Sequence, residues 1–313
     1  MIGNRSLCAV LSALLTWPAA AQTPDLEQPA PAPPRVSEVE RVRLVLLPTT
    51  VTTRHGKPVR GLGPEDFRLY EDGAEQQIDL FATEDSSPIA LAFLLDVSGS
   101  MGLRGRLDQA KDAIRHFVEA LDGDDRVGLI RFADARVEWV AGFDDDRETL
   151  LERLDAQRPL GRTALYDALA SSPRLVDEKT LGRKAIILIT DGVDNASEIP
   201  RLRATWMARR VAVPIYTLGF IPMREKLLAY RAREALRVVE RFSQETGGAL
   251  FTIHQPSDLD RAEQRIQGEL RFQYVIGFYR ADGTRDSSFH RLRLATIRDR
   301  LRVRTRSGYY ANP

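Results

Sequence analysis

Asp96, Ser98 and Ser100 stand at the end of the apolar run Ile89–Leu95, on a tight turn with Gly99 at its bend. One carboxylate and two hydroxyls placed this closely make a cluster of hard oxygen donors. Such donors suit Mg²⁺, Ca²⁺ or Mn²⁺, and no thiol or imidazole lies nearby to suggest zinc. An unbroken apolar run bounded by turn residues predicts a strand buried on both faces. In open α/β sheets, ligands bind at the carboxyl ends of such strands.

Asp96-Val97-Ser98-Gly99-Ser100 after an apolar strand resembles the metal-ion-dependent adhesion site of von Willebrand factor type A domains. Two further pieces follow in the order of that family. Gly161-Arg162-Thr163-Ala164-Leu165-Tyr166-Asp167 resembles its threonine loop, and Ile186-Ile187-Leu188-Ile189-Thr190-Asp191-Gly192 its second strand-end carboxylate. The resemblance implies a metal held by Asp96, Ser98, Ser100, Thr163 and Asp191. The two serines and the threonine would supply neutral oxygens, and the two aspartates would act largely through bound waters. The implied cofactor is a divalent cation, Mg²⁺ first, with Mn²⁺ or Ca²⁺ as alternatives. The implied partner is a protein that presents an acidic residue to the metal's open position. The implied fold is a Rossmann-like, mostly parallel sheet with helices on both faces. Arg162 departs from the small residues common at its place; it either favours an acidic ligand or points to solvent, and solvent is the reading preferred here.

The elements needed to position these residues are legible around them. Residues 87–262 alternate strands with helices, which predicts a mostly parallel sheet covered on both sides. Leu107, Ala110, Ile114, Phe117, Val118 and Leu121 recur at helical spacing. Val127–Phe132 and Val137–Phe143 read as a hairpin with an antiparallel edge strand. A helix from Asp146, the threonine loop and a helix through Val176 follow, then the central strand Lys184–Thr190. Val211–Leu218 and Ala249–Ile253 complete the sheet, separated by a long charged helix between Arg224 and Glu245. Ser257, with Asp258 and Asp260, is expected to cap the last helix.

Segments 37–86 and 263–313 read mainly as β structure: Val42–Leu47, Phe67–Tyr70 and Ile78–Phe81 on one side, Phe272–Tyr279, Phe289–Ile297 and Leu301–Arg306 on the other, with Asp282-Gly283 as a turn. Each is too short to be a stable domain alone. We therefore expect 37–86 and 271–313 to pair into one small β-sandwich with the A domain inserted between them.

The N-terminus carries Arg5, an apolar stretch from Leu7 to Trp17 and the run Pro18–Gln22. This spells a secretory signal peptide over residues 1–21, cleaved after Ala21, rather than a retained membrane anchor. Residues 22–36 are Pro- and Ala-rich and read as an extended spacer. Cys8, the single cysteine of the 313 residues, lies inside the signal, so the mature chain holds no disulfide. An exported, disulfide-free protein fits a periplasmic or secreted bacterial protein. Net charge is +1, with 28% charged residues, which does not favour nucleic acid as a partner. No apolar run in the body exceeds strand length, so no transmembrane span is expected in the mature chain.

Three functions are weighed. The first is a module that binds a partner protein through the metal. The second is a metal-independent scaffold or assembly factor in an envelope complex. The third, a hydrolase, is disfavoured: Asp96 replaces the first glycine of a nucleophile elbow, and no Walker or dinucleotide pattern is present. No catalytic residue is assigned. Asp194 and Asn195 read as turn and cap residues. Arg291, Arg293, Arg300, Arg302, Arg304 and Arg306 read as a solvated sheet face. His55, His116, His254 and His290 lack metal-ligand spacing.

Overall fold

The computed structural model describes residues 42–83, 88–180, 182–220, 226–281 and 288–311. The signal segment, the spacer, the Asp282-Gly283 turn and the start of the long helix at Arg224 lie outside these residues.

The first flank contributes β1 (Val42–Thr53), β2 (Phe67–Glu71), β3 (Ala74–Gln76) and β4 (Leu80–Thr83). The middle of the chain contributes β5 (Ile89–Asp96), α1 (Arg106–Ala120), β6 (Arg126–Ala133), β7 (Arg136–Ala141), α2 (Arg147–Asp155), α3 (Leu165–Asp177) and β8 (Arg183–Thr190). It continues with α4 (Arg201–Ala208), β9 (Ile215–Phe220), α5 (Lys226–Thr246), β10 (Leu250–Ile253) and α6 (Pro256–Arg271). The second flank contributes β11 (Tyr274–Ala281), β12 (Phe289–Thr296), β13 (Leu301–Arg304) and β14 (Gly308–Tyr310).

The six middle strands form one sheet in the order β10-β9-β8-β5-β6-β7. All neighbours are parallel except β6 and β7, an antiparallel hairpin at the edge. Every residue of β5 is buried because its two faces enter two different cores. Ile89, Leu91, Phe93 and Leu95 pack under α1, α2 and α6. Ala90, Ala92 and Leu94 pack under α3, α4 and α5. The period of two thus divides one apolar run between two layers of helices. The six apolar residues expected on α1 and just beyond it are all buried. Strand order reverses at β5: the chain next builds β6 on one side and later β8 on the other. That reversal opens a crevice at the carboxyl ends of β5 and β8.

The flanks pair with each other. One four-stranded sheet has the order β13-β1-β11-β4 and another the order β14-β12-β2-β3, so each mixes strands from both ends of the chain. Val42 lies opposite Ala281 and Leu47 opposite Ile276. Val45, Leu47, Phe67, Leu69, Ile276, Phe278, Leu292 and Tyr309 form a core shared by the two sheets, which makes a small β-sandwich. The chain enters the middle region after Thr83 and leaves it before Tyr274, and these two residues are paired across β4 and β11.

Four local expectations differ from the structure. α4 was not expected: only Ala204 and Ala208 of its residues are buried, while Leu202 is 80% exposed, so it lacks a readable apolar stripe. β9 begins at Ile215 rather than Val211, because Pro214 has no N–H for the ladder. α6 is capped by Gln255 with Pro256 in its first turn, not by Ser257; the Asp258 carboxylate accepts from the His254 and Gln255 N–H groups at 3.0 and 3.1 Å. The tail arginines do not share one solvated face. Arg291, Arg293, Arg300 and Arg302 are exposed, but Arg304 and Arg306 are half-buried. Arg304 Nε donates to the Gly247 carbonyl at 2.9 Å and its guanidinium pairs with fully buried Glu269 on α6. β13 ends against the middle region, so its last charged residues meet protein rather than water.

Candidate metal centre

Three loops converge at the crevice between β5 and β8. The first leaves β5 at Asp96. The Asp96 carboxylate is fully buried; it accepts from the Ser98 N–H at 2.9 Å and from the Thr190 hydroxyl, at the end of β8, at 2.7 Å. Those bonds turn the chain so that the Ser98 and Ser100 hydroxyls stand 3.0 Å apart.

The second loop brings Thr163, whose hydroxyl donates to Ser98 Oγ at 2.9 Å. Its path is held from several sides. Gly99 N–H donates to the Gly161 carbonyl at 3.0 Å, and Leu160 N–H to the Val97 carbonyl at 2.7 Å. Asp134, in the β6–β7 turn at φ 50°, donates its N–H to the Arg162 carbonyl at 2.7 Å and accepts from the Arg162 N–H at 2.8 Å. Gly161 has φ 63°, and a Cβ there would meet the Asp134 carboxylate at 2.2 Å. A left-handed non-glycine residue facing a left-handed glycine marks backbone strain spent on placing a loop.

The third loop follows β8. Asp191 is 8% exposed; its Oδ1 accepts from the Val193 N–H at 3.3 Å and its Oδ2 pairs with Arg106 at 2.7 Å. Beyond it, the Asn195 side chain accepts from the Thr163 N–H at 2.9 Å, and the Asn195 and Ala196 N–H groups both donate to the Thr163 carbonyl at 3.0 Å. Asp194 accepts from Leu165 N–H, the first of α3, at 2.9 Å. Asp194 and Asn195 are therefore the cap and turn residues expected, and they also fix Thr163. Arg162 is exposed, as expected, and its guanidinium reaches the Asn195 carbonyl.

All five residues singled out from the sequence thus meet at one crevice: Asp96, Ser98, Ser100, Thr163 and Asp191. Residues 91–193 match the sequence model of the von Willebrand factor type A domain. That stretch, residues 91–193, belongs to the von Willebrand factor type A domain family. Two curated relatives are similar over part of their length. An uncharacterized protein of Borreliella burgdorferi is 27% identical over 202 residues, 59% of this chain and 56% of the relative. The human calcium-activated chloride channel regulator 4 is 30% identical over 115 residues, 34% of this chain and 12% of the relative. The chain therefore spans about half of the first relative and a small part of the second. Among solved structures, the BatB protein of Bacteroides thetaiotaomicron aligns at 21% identity with a TM-score of 0.43, over 58% of this chain and 98% of that one.

The A domain's donor set fits a hard divalent cation. Three hydroxyl oxygens and two carboxylates converge, without nitrogen or sulfur. Burial pushes Asp96 up from its ordinary 3.8 to about 6; hydrogen bonds from Thr190 and Ser98 pull against this, and the charge of Asp191 adds to it. Among the described residues no side-chain cation pairs with this buried carboxylate, which suits it to a bound cation. No group of three or more His, Cys, Asp or Glu fit to hold a metal occurs among the described residues.

Sequence reasoning missed Arg106, Thr190 and Asp134 as parts of this centre. Arg106 had a signal: a cation in the first turn of a helix opposes the helix dipole and calls for a nearby anion. The others had none, because their roles depend on which loops meet.

Proposed function

We propose that the A domain is a protein-binding module that works through a divalent metal held by Ser98, Ser100 and Thr163, with Asp96 and Asp191 supplying charge around it. The observation that carries this reading is the hydroxyl set from two loops, with 3.0 and 2.9 Å between neighbours, beside a buried carboxylate that no side-chain cation compensates among the described residues. Mg²⁺ is the first choice for so hard and oxygen-only a set, followed by Mn²⁺ and Ca²⁺. When bound, the cation supplies a coordination position for an acidic side chain of the partner protein. Both carboxylates are engaged in holding the site, Asp96 with Thr190 and Ser98, Asp191 with Arg106, which supports binding rather than turnover. We place the module outside the cytoplasm, periplasmic or extracellular, on the strength of the signal-like residues 1–21, with 22–36 as a spacer. No described helix is long and apolar enough to cross a membrane.

One observation favours a second reading. Arg106 already brings a positive charge to Asp191, which suits a scaffold that needs no metal.

Calorimetric titration of the chain with Mg²⁺, Mn²⁺ and Ca²⁺ decides between them. The metal-dependent module predicts saturable binding that Asp96→Ala and Ser98→Ala both abolish while the fold survives. Heat-silent titrations with every ion would leave the scaffold as the better account.

A further inference from the structure

Arg106 is the first residue of α1 and lies at the edge of the candidate centre. Two consecutive left-handed residues, Arg104 at φ 59° and Gly105 at φ 69°, bend the chain out of the serine loop and start the helix there. A guanidinium at a helix N-terminus is opposed by the dipole, so its own helix does not favour this position. What holds it is Asp191: the two groups meet at 2.7 Å, with side chains only 23% and 9% exposed, where salt screens poorly. Of the two carboxylates at the centre, Asp191 has a cation beside it and Asp96 has none among the described residues. The formal charge of the pair is thereby halved by a residue of the chain itself.

We propose that Arg106 is a tethered cation that competes with the metal for Asp191 and sets how tightly the centre binds it. This rests on the metal-binding reading above. A divalent ion held by the hydroxyls would be drawn by the Asp191 carboxylate, and a guanidinium on the same carboxylate would repel it. Metal entry therefore requires the guanidinium to swing away, which its long side chain, one fifth exposed at the rim, allows. An acidic partner meets two cations at this place, the metal and the released guanidinium. Metal and partner then bind cooperatively, because each carboxylate that takes Arg106 away from Asp191 favours the metal.

The test is Mn²⁺ titration of the full chain by calorimetry, with Arg106→Gln, Arg106→Met and Arg106→Lys beside the parent. Removing the charge should tighten Mn²⁺ binding about tenfold in Gln and Met, whereas Lys should stay near the parent. Arg106→Met keeps the aliphatic stem, so it serves if Gln disturbs the start of α1. Asp96→Ala added to Arg106→Gln should remove binding, which places the gained affinity at this centre. Binding by Arg106→Gln that equals or falls below the parent's would overturn the role of Arg106 and leave the metal centre standing. Absence of Mn²⁺ binding in parent and variants alike would remove both. Binding by the charge-removed variants alone would support the competition in its strongest form.

Discussion

Asp96 carries a carboxylate to a fully buried position. Burial raises it from 3.8 to about 6, so the folded chain holds a proton there more firmly than the unfolded chain does. The stability this group contributes is fully present below about pH 3.8 and is lost as the pH rises through about 6. At pH 7.5 without metal, the charged carboxylate therefore costs the fold on the order of 2–3 kcal/mol. Asp96→Asn should accordingly be more stable than the parent by about 1–2 kcal/mol in chelator at pH 7.5, with the gap closing near pH 4. Urea midpoints at the two pH values check this. A variant that is weaker at both would mean that the carboxylate is already compensated. Asp96 and its two serines were legible in the sequence because they are contiguous and follow an unmistakable strand. Arg106 and Thr190 were not, because nothing local says that one will face Asp191 and the other Asp96.

The elements around the centre are short loops gripped at both ends. Gly192, directly after Asp191, has φ 81°, and a Cβ there would lie 3.2 Å from backbone and side-chain atoms of Ala235 on α5. Gly192→Ala should cost about 1–3 kcal/mol from its left-handed backbone and the crowding together. Because the strain falls on the loop that carries Asp191, the same variant should bind Mn²⁺ more weakly than the parent. A melt together with a metal titration separates the two effects, and unchanged affinity would show that the loop tolerates the push. Strands with continuous apolar runs, such as β5 and β8, were readable because burial on both faces leaves no other pattern. α4 was invisible, since two buried alanines four apart do not make a stripe. β14 was missed because Gly308–Tyr310 is three residues long, and its pairing with β12 is set by the distant partner, not by its own sequence.

Across the molecule, the sandwich and the A domain are joined by buried charge as well as by the chain. Glu269 on α6 is fully buried between Arg304 of β13 and Arg265, whose Nε lies 3.0 Å from its carboxylate. Farther along, Ser307 N–H donates to the Glu245 carbonyl at 3.1 Å, and Arg209 pairs with the Glu245 carboxylate at 2.6 Å. Trp206 of α4 meets Tyr310 edge-on with centroids 5.0 Å apart. Removing one partner of a buried pair leaves the other uncompensated, so Glu269→Leu should cost about 3–5 kcal/mol. The double variant Glu269→Leu with Arg304→Met should lose less than the two singles combined. Chemical denaturation of the four proteins measures this, and strict additivity would mean that the pair is not coupled. The β character of both flanks was readable, but this joint was not: the tail arginines alternate as a solvated strand does, and only the packing of β13 against α6 singles out Arg304.

Thr83 and Tyr274 lie side by side, and this placement leads us to expect a definite order of folding. β1 is made early in synthesis, yet its partners β11 and β13 are made last. Until then it presents an open strand edge, the kind of surface that recruits wrong neighbours. Closing so long a loop in an unstructured chain is slow, whereas a folded A domain delivers its entry and exit points side by side. The domain that carries the candidate metal centre would then also be the template on which the two ends of the chain find each other. Lesions in its core should appear first as failures of the sandwich to close.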